Sequence, residues 1–297
     1  MNGSSELRVK SGTATLWSIA VGQGPTVLMF NGGPGCDDYL GPVSALVKDK
    51  ARIIRFEPRG CGRSDWDGNY SLDVLLDDAD AVRRAHGAQT CLVAGHSFGV
   101  NAALAYALRF PVVACGIIGI AGGKLVNDRS WSEAYRRGLQ EVGEDMGGAV
   151  FHADPRVNRD GNQSWREFIR QPDLFRAVAN LDLPATFING SADIRPNWPT
   201  RQLAALLPQG CYFEIEGAAH HIWLTHPGEL GHRLRQAIDR MSSNQQAVPH
   251  PPGRLKLSHI LAFHSMEAST CPMSDPGLRH SAMRHNPLGS LSILVEL

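Results

Sequence analysis

The stretch "GHSFG", Gly95 to Gly99, fits the pattern G-x-S-x-G. An apolar run, "TCLVA", precedes it, and the Ala- and Leu-rich segment "FGVNAALAYALRF" (98–110) follows, ending before Pro111. A serine on a sharp strand-to-helix turn is forced out of the sheet's end with its hydroxyl exposed. Gly95 and Gly99 remove side chains that would clash at so tight a bend. The helix N-terminus that follows favours developing negative charge. The chemistry this points to is nucleophilic attack by Ser97.

A serine hydroxyl is a weak nucleophile without a base, and the base needs an orienting acid. With a nucleophile placed this way, the partners follow in the order Ser, Asp or Glu, His, each just after a later strand. "PATFING" (184–190) is followed by "SAD", ending at Asp193, and "CYFEIEG" (211–217) by "AAHHIWLTHP". Asp193 is therefore expected as the acid and His220 as the base, with the adjacent His221 as the alternative. Asp182 precedes its strand and belongs at the wrong end. His96 beside the nucleophile reads as a structural hydrogen-bonder. His226 precedes Pro227, which reads as a helix start.

Acyl transfer also needs two donors aimed at the developing oxyanion. The N–H of Phe98, the residue after the nucleophile, supplies one. The other is expected from "NGGPG" (31–35), which follows the strand-like "TVLMF" (26–30). Gly33 is the choice there, with Gly32 close behind. Such donors are worth about 3 kcal/mol each. A further loop, "FEPRGCGRSD" (56–65), lacks the spacing of a phosphate-binding P-loop. Its Arg59 and Arg63 are expected to brace neighbouring loops through carbonyls or carboxylates.

These residues need a frame. Short β-branched apolar runs recur at 14–22, 26–30, 51–57, 90–95, 113–122, 184–190 and 211–217. The later ones are continuously apolar, the mark of strands covered on both faces. Between them lie helical patterns, such as Leu72, Leu75, Leu76, Ala79 and Val82, with Ser71 as N-cap and Gly87 as stop. Leu230, Leu234, Ala237, Ile238 and Met241 mark another. Strands alternating with helices predict an α/β fold with a mostly parallel sheet and helices on both sides. The core is expected over 1–123 and 184–241. Residues 124–183 read as a helical cap with helices at 130–145 and 164–180, separated by the polar stretch "HADPRVNRDGNQ". Residues 242–297, rich in Pro, Ser and His, read as a poorly ordered tail.

Composition sets outer limits. Among 297 residues, 29 Lys and Arg balance 29 Asp and Glu, so nothing argues for nucleic acid or an anionic membrane. The start, "MNGSSELRVKSG", has no apolar h-region, and no apolar run reaches the ~18 residues of a membrane span. Six scattered cysteines form no C-x-x-C pair. Cys91, Cys115 and Cys211 lie in strand-like runs and are expected as buried free thiols. A cytoplasmic location follows as the expectation. The tail histidines match no metal-ligand spacing. No metal or cofactor is expected.

"NGGPG", "PRGCGRSD", "GHSFG", Asp193 and "EGAAHH…HP" together resemble the α/β-hydrolase superfamily, nearest the proline iminopeptidase group, over roughly residues 14–241. The resemblance implies a Ser97–His220–Asp193 triad, an oxyanion hole from Gly33 and Phe98, a helical cap and an acyl-enzyme. It implies a small-molecule or short-peptide substrate, with aminopeptidase action on N-terminal proline or small residues. The alternatives are esterase, lactonase or amidase action, or a binding protein on the same fold. Asn31 stands where that group usually has His, and Glu57 where it has Asp. Iminopeptidases of this kind hold the substrate's amino group with cap carboxylates, for which Glu133, Glu141, Glu144 and Glu167 are candidates. Residues 124–180 carry nine acids and nine bases, so no net acidic pocket is expected.

Overall fold

The computed structural model describes residues 4–126, 128–144 and 152–245. The strands are β1 (Ser5–Ser11), β2 (Ala14–Val21), β3 (Thr26–Phe30), β4 (Arg52–Phe56), β5 (Cys91–His96), β6 (Ala114–Ile120), β7 (Pro184–Gly190) and β8 (Gln209–Ile215). They form one 8-stranded sheet in the order β1-β2-β4-β3-β5-β6-β7-β8. The β1–β2 and β2–β4 pairs are antiparallel, and every later pair is parallel. The expected mostly parallel α/β sheet is present. The strand over 5–11 was not anticipated. Its residues "SELRVKS" are largely exposed, as suits an edge strand, and carry no apolar run.

Helices α1 (Gly41–Ala45), α2 (Leu72–Ala85), α3 (Phe98–Arg109), α7 (Trp198–Leu206) and α9 (Pro227–Gln245) flank the sheet, with a short turn, α8 (Ile222–Thr225), before the last. Alternate strand residues feed two cores. Leu28, Ile54, Val93 and Phe187 pack with α2, α3 and α7 on one face. Val27, Ile53, Leu92 and Ile188 pack with Val43 of α1 and with Leu230, Leu234 and Ile238 of α9 on the other. Burying each such aliphatic side chain contributes roughly 1.5–3 kcal/mol. Strand β7 is buried at every residue, because helices cover both of its faces.

Between β6 and β7 lie α4 (Arg129–Glu141), α5 (Pro155–Phe168) and α6 (Leu174–Ala179). The polar stretch expected to separate two helices is mostly helix itself. Asp154 caps α5 by accepting from the N–H groups of Arg156 and Val157, and Pro155 occupies the first turn. Pro172 then interrupts the expected 164–180 helix, leaving α6 as a separate piece. At the other end, α9 runs to Gln245, past the Met241 boundary expected for the core. The rest of the expected tail, from 246 onward, lies outside the described residues, as does Cys271. Cys91 is a buried free thiol, whereas Cys115 and Cys211 are only half-buried. Among the described residues, no helix is long and apolar enough to cross a membrane.

Candidate active site

Ser97 sits between the end of β5 and the first turn of α3, with φ 56° and ψ −121°. This left-handed backbone is rare for a residue with a Cβ, costs about 1–3 kcal/mol, and persists only where the surrounding structure imposes it. Here the surroundings do. A Cβ on Gly95 would lie 2.0 Å from the Gly99 carbonyl oxygen, and one on Gly99 would lie 2.2 Å from the Phe30 carbonyl oxygen. The bend therefore closes only with glycine on both sides of Ser97. The Ser97 N–H is tied to the Ile120 carbonyl at 2.9 Å, which fixes the turn against β6.

Asp193 lies just after β7 and His220 just after β8, so both loops emerge at the same sheet end as Ser97. Nδ1 of His220 and Oδ2 of Asp193 are 2.6 Å apart, with the two side chains 5% and 1% exposed. The second carboxylate oxygen accepts the Arg195 N–H at 2.9 Å. With Nδ1–H donating to the carboxylate, Nε2 of His220 carries the lone pair. Burial, then the Arg195 guanidinium and His221, hold the His220 imidazole well below its ordinary pKa. Burial pushes the Asp193 carboxyl up, and the Arg195 charge and N–H pull against it. Among the described residues neither Ser97 Oγ nor His220 Nε2 makes a hydrogen bond. Catalytic contacts of this kind often close only when substrate is bound.

His221 is also buried, and its ring lies 5.1 Å from that of His220 and 5.3 Å from that of Trp223. His96 has both ring nitrogens engaged. Its Nε2 lies 3.2 Å from the His220 carbonyl oxygen, which only accepts, so Nε2 carries the proton. Its Nδ1 then accepts from Tyr39 Oη at 2.7 Å, and Tyr39 Oη accepts the Gly32 N–H at 2.7 Å. Sequence reasoning missed Tyr39. Nothing in its local pattern, "DDYLGP", sets it apart. The ring nitrogens of His96, His220 and His221 lie within 4.8 Å of one another. The hydrogen bonds at His96, and that of His220 Nδ1 to Asp193, leave the trio a poor donor set for a metal ion.

The loop after β3 carries Gly32 and Gly33. The Gly32 amide is occupied by Tyr39. Gly33 has φ +113°, a conformation that suits glycine, and no hydrogen bond among the described residues uses its N–H or that of Phe98. Asn31 anchors the loop by donating from Nδ2 to the Phe56 carbonyl at 2.9 Å. Glu57 accepts from Arg63 Nη2 at 2.7 Å and from the Asp38 N–H at 3.3 Å. Arg59 pairs with Asp78 at 2.6 Å and with Asp67. Both arginines thus brace loops through carboxylates.

Ser97 opens onto a cleft of about 740 Å³, whose lining includes Phe98, Lys124, Trp131, Trp165, Arg166, Asp193 and Arg195. Among the described residues that line it, Asp193 is the one acid. Glu133, Glu141, Glu144 and Glu167 stay outside the described lining, and Glu144 pairs with Arg195 Nη1 at 2.8 Å.

A family model described as alpha/beta hydrolase fold matches residues 25–200. A curated proline iminopeptidase from Heyndrickxia coagulans is 27% identical over 159 residues, covering 52% of this chain and 52% of that protein. The matched region thus spans about half the length of that relative. A thermophilic esterase from Thermogutta terrifontis superposes with TM-score 0.65 at 18% identity, covering 80% of this chain and 99% of its own. Proline iminopeptidase of Mycobacterium smegmatis gives TM-score 0.64 at 16% identity, covering 81% and 100%. With its sheet order, its serine turn and this family match, the chain belongs to the α/β-hydrolase fold family.

Proposed function

We propose that the chain is a serine hydrolase that cleaves a small ester or amide through an acyl-enzyme. The observation that carries this reading is the buried 2.6 Å contact between Asp193 and His220, beside a Ser97 held in a glycine-flanked turn. His220 Nε2 takes the Ser97 proton as Oγ attacks the carbonyl carbon. The N–H groups of Gly33 and Phe98 hold the oxyanion. The His220 proton passes to the leaving group, and water, activated by the same nitrogen, releases the acid. Asp193 keeps the imidazole in the Nδ1–H tautomer and stabilises its cation.

The aminopeptidase reading draws on the named relatives. An aminopeptidase cleft needs a carboxylate for the substrate's ammonium group. Among the described residues that line the cleft, the one acid, Asp193, already serves His220 and Arg195. The ester or amide reading is therefore preferred. A fluorophosphonate should label the protein at Ser97 and leave Ser97→Ala unlabelled. Turnover of p-nitrophenyl acetate and butyrate should exceed that of proline β-naphthylamide. Failure to label Ser97 would overturn the hydrolase reading, and the reverse substrate order would restore the peptidase.

A further inference from the structure

The charges in the Ser97 cleft are unequally matched. Among the described residues that line it, three are cationic, Lys124, Arg166 and Arg195. Arg195 is spent: its guanidinium meets Glu144 at 2.8 Å and Asp193 at 3.5 Å. The other two are not. Among the described residues, neither Lys124 nor Arg166 makes an ion pair or a side-chain hydrogen bond. Arg156 and Arg159, on the same helix as Arg166, do pair with acids, at 2.9 Å each. Two half-buried cations therefore share the cleft of the nucleophile with no counter-ion among the described residues.

Lys124 is built into the site. It follows Gly122 and Gly123, which line the cleft just after β6. A Cβ on Gly122 would fall 2.3 Å from the Ser97 carbonyl oxygen, so this segment presses directly on the nucleophile's turn. The Lys124 N–H is pinned to Asn101 Oδ1 at 3.0 Å. Its Nζ lies 3.8 Å over the Trp131 ring, which orients the ammonium without neutralising it. Burial and the Arg195 charge lower its pKa to about 8, against a weaker pull from Asp128. A cation held at that cost has a ready use when an anion joins it.

We infer that the cleft selects a substrate carrying a carboxylate, with Lys124 Nζ as its partner and Arg166 adding to the positive field. This rests on the serine-hydrolase reading and names its substrate class: an ester or amide of a small dicarboxylic acid. A free ammonium group would be repelled by the same pair. A charge-assisted contact in such a cleft is worth about tenfold to a hundredfold in selectivity.

The test compares mono-4-nitrophenyl adipate, an anion, with 4-nitrophenyl hexanoate, neutral and equal in acyl length. The full chain should favour the adipate ester in kcat/KM. Lys124→Met should cut the adipate-to-hexanoate ratio at least tenfold, chiefly through KM, and Lys124→Arg should restore most of it. Free adipate should raise the melting temperature of the wild type and of Ser97→Ala, and lose that effect in Lys124→Met. An unchanged ratio in Lys124→Met, or a wild-type preference for hexanoate, overturns the inference even when Ser97 labels with fluorophosphonate. Failure to label Ser97 overturns the hydrolase reading instead, and the substrate assignment falls with it.

Discussion

Tyr39 Oη stands 2.7 Å from His96 Nδ1 and accepts the Gly32 N–H from the other side. Through His96 Nε2 the same line reaches the carbonyl of His220. Residues separated by more than a hundred positions in sequence, in the proposed oxyanion loop and the proposed base loop, are thereby held by one hydrogen-bonded line. It also fixes His96 as neutral, in agreement with the burial that holds its pKa well below the ordinary value.

Replacing Tyr39 by Phe removes both contacts and leaves the Gly32 N–H without its acceptor. Orphaning a buried donor costs about 1–3 kcal/mol, which urea unfolding should register. The kcat should fall about tenfold, less than the ~10²–10³ that outright loss of an oxyanion donor costs. Unchanged stability and turnover would show that the line does not position the loop.

Asp193→Asn keeps the shape of the side chain and removes its charge. An amide can donate to Nδ1 and so favour the wrong imidazole tautomer. The kcat should drop by about 10⁴ while the far-ultraviolet circular dichroism is retained. Full activity in this variant would remove Asp193 from the mechanism.

The strain at Ser97 has a thermodynamic signature. Glycine adopts φ 56° and ψ −121° more readily than alanine does. Ser97→Gly should therefore unfold at higher urea than Ser97→Ala, by about 1 kcal/mol, with hydrolysis absent from both. A Ser97→Gly variant less stable than Ser97→Ala, by the ~0.4–1 kcal/mol that glycine's extra freedom in the unfolded chain costs, would mean that the turn stores no strain.

As a base, His220 must be neutral. Its pKa lies well below 6.5, owing first to burial and then to Arg195 and His221. The acid limb of kcat/KM should accordingly lie below the ordinary imidazole range, as a property of the coupled Asp193–His220 pair. Removing the positive charge in Arg195→Met makes the imidazolium easier to form, so the limb should move to higher pH. A wild-type limb near 6.5 that ignores this substitution would contradict the electrostatic account.

The frame and the order of the candidate residues could be read from the chain, because local pattern encodes them. A buried strand is a continuous apolar run, the bend around Ser97 needs Gly95 and Gly99, and Asp193 and His220 each follow such a run. The edge strand over 5–11 escaped notice because an exposed strand needs no apolar run. The start of α5 escaped because its cap, Asp154, opens a polar segment. Tertiary structure alone decided between neighbours. His220 and His221 are adjacent and chemically identical, and only packing determines which ring meets Asp193, 27 residues away. The engagement of the Gly32 amide by Tyr39 and the surplus of positive charge around Ser97 likewise arise where distant segments meet. Side-chain direction and long-range pairing belong to the packed molecule, and no spacing along the chain encodes them.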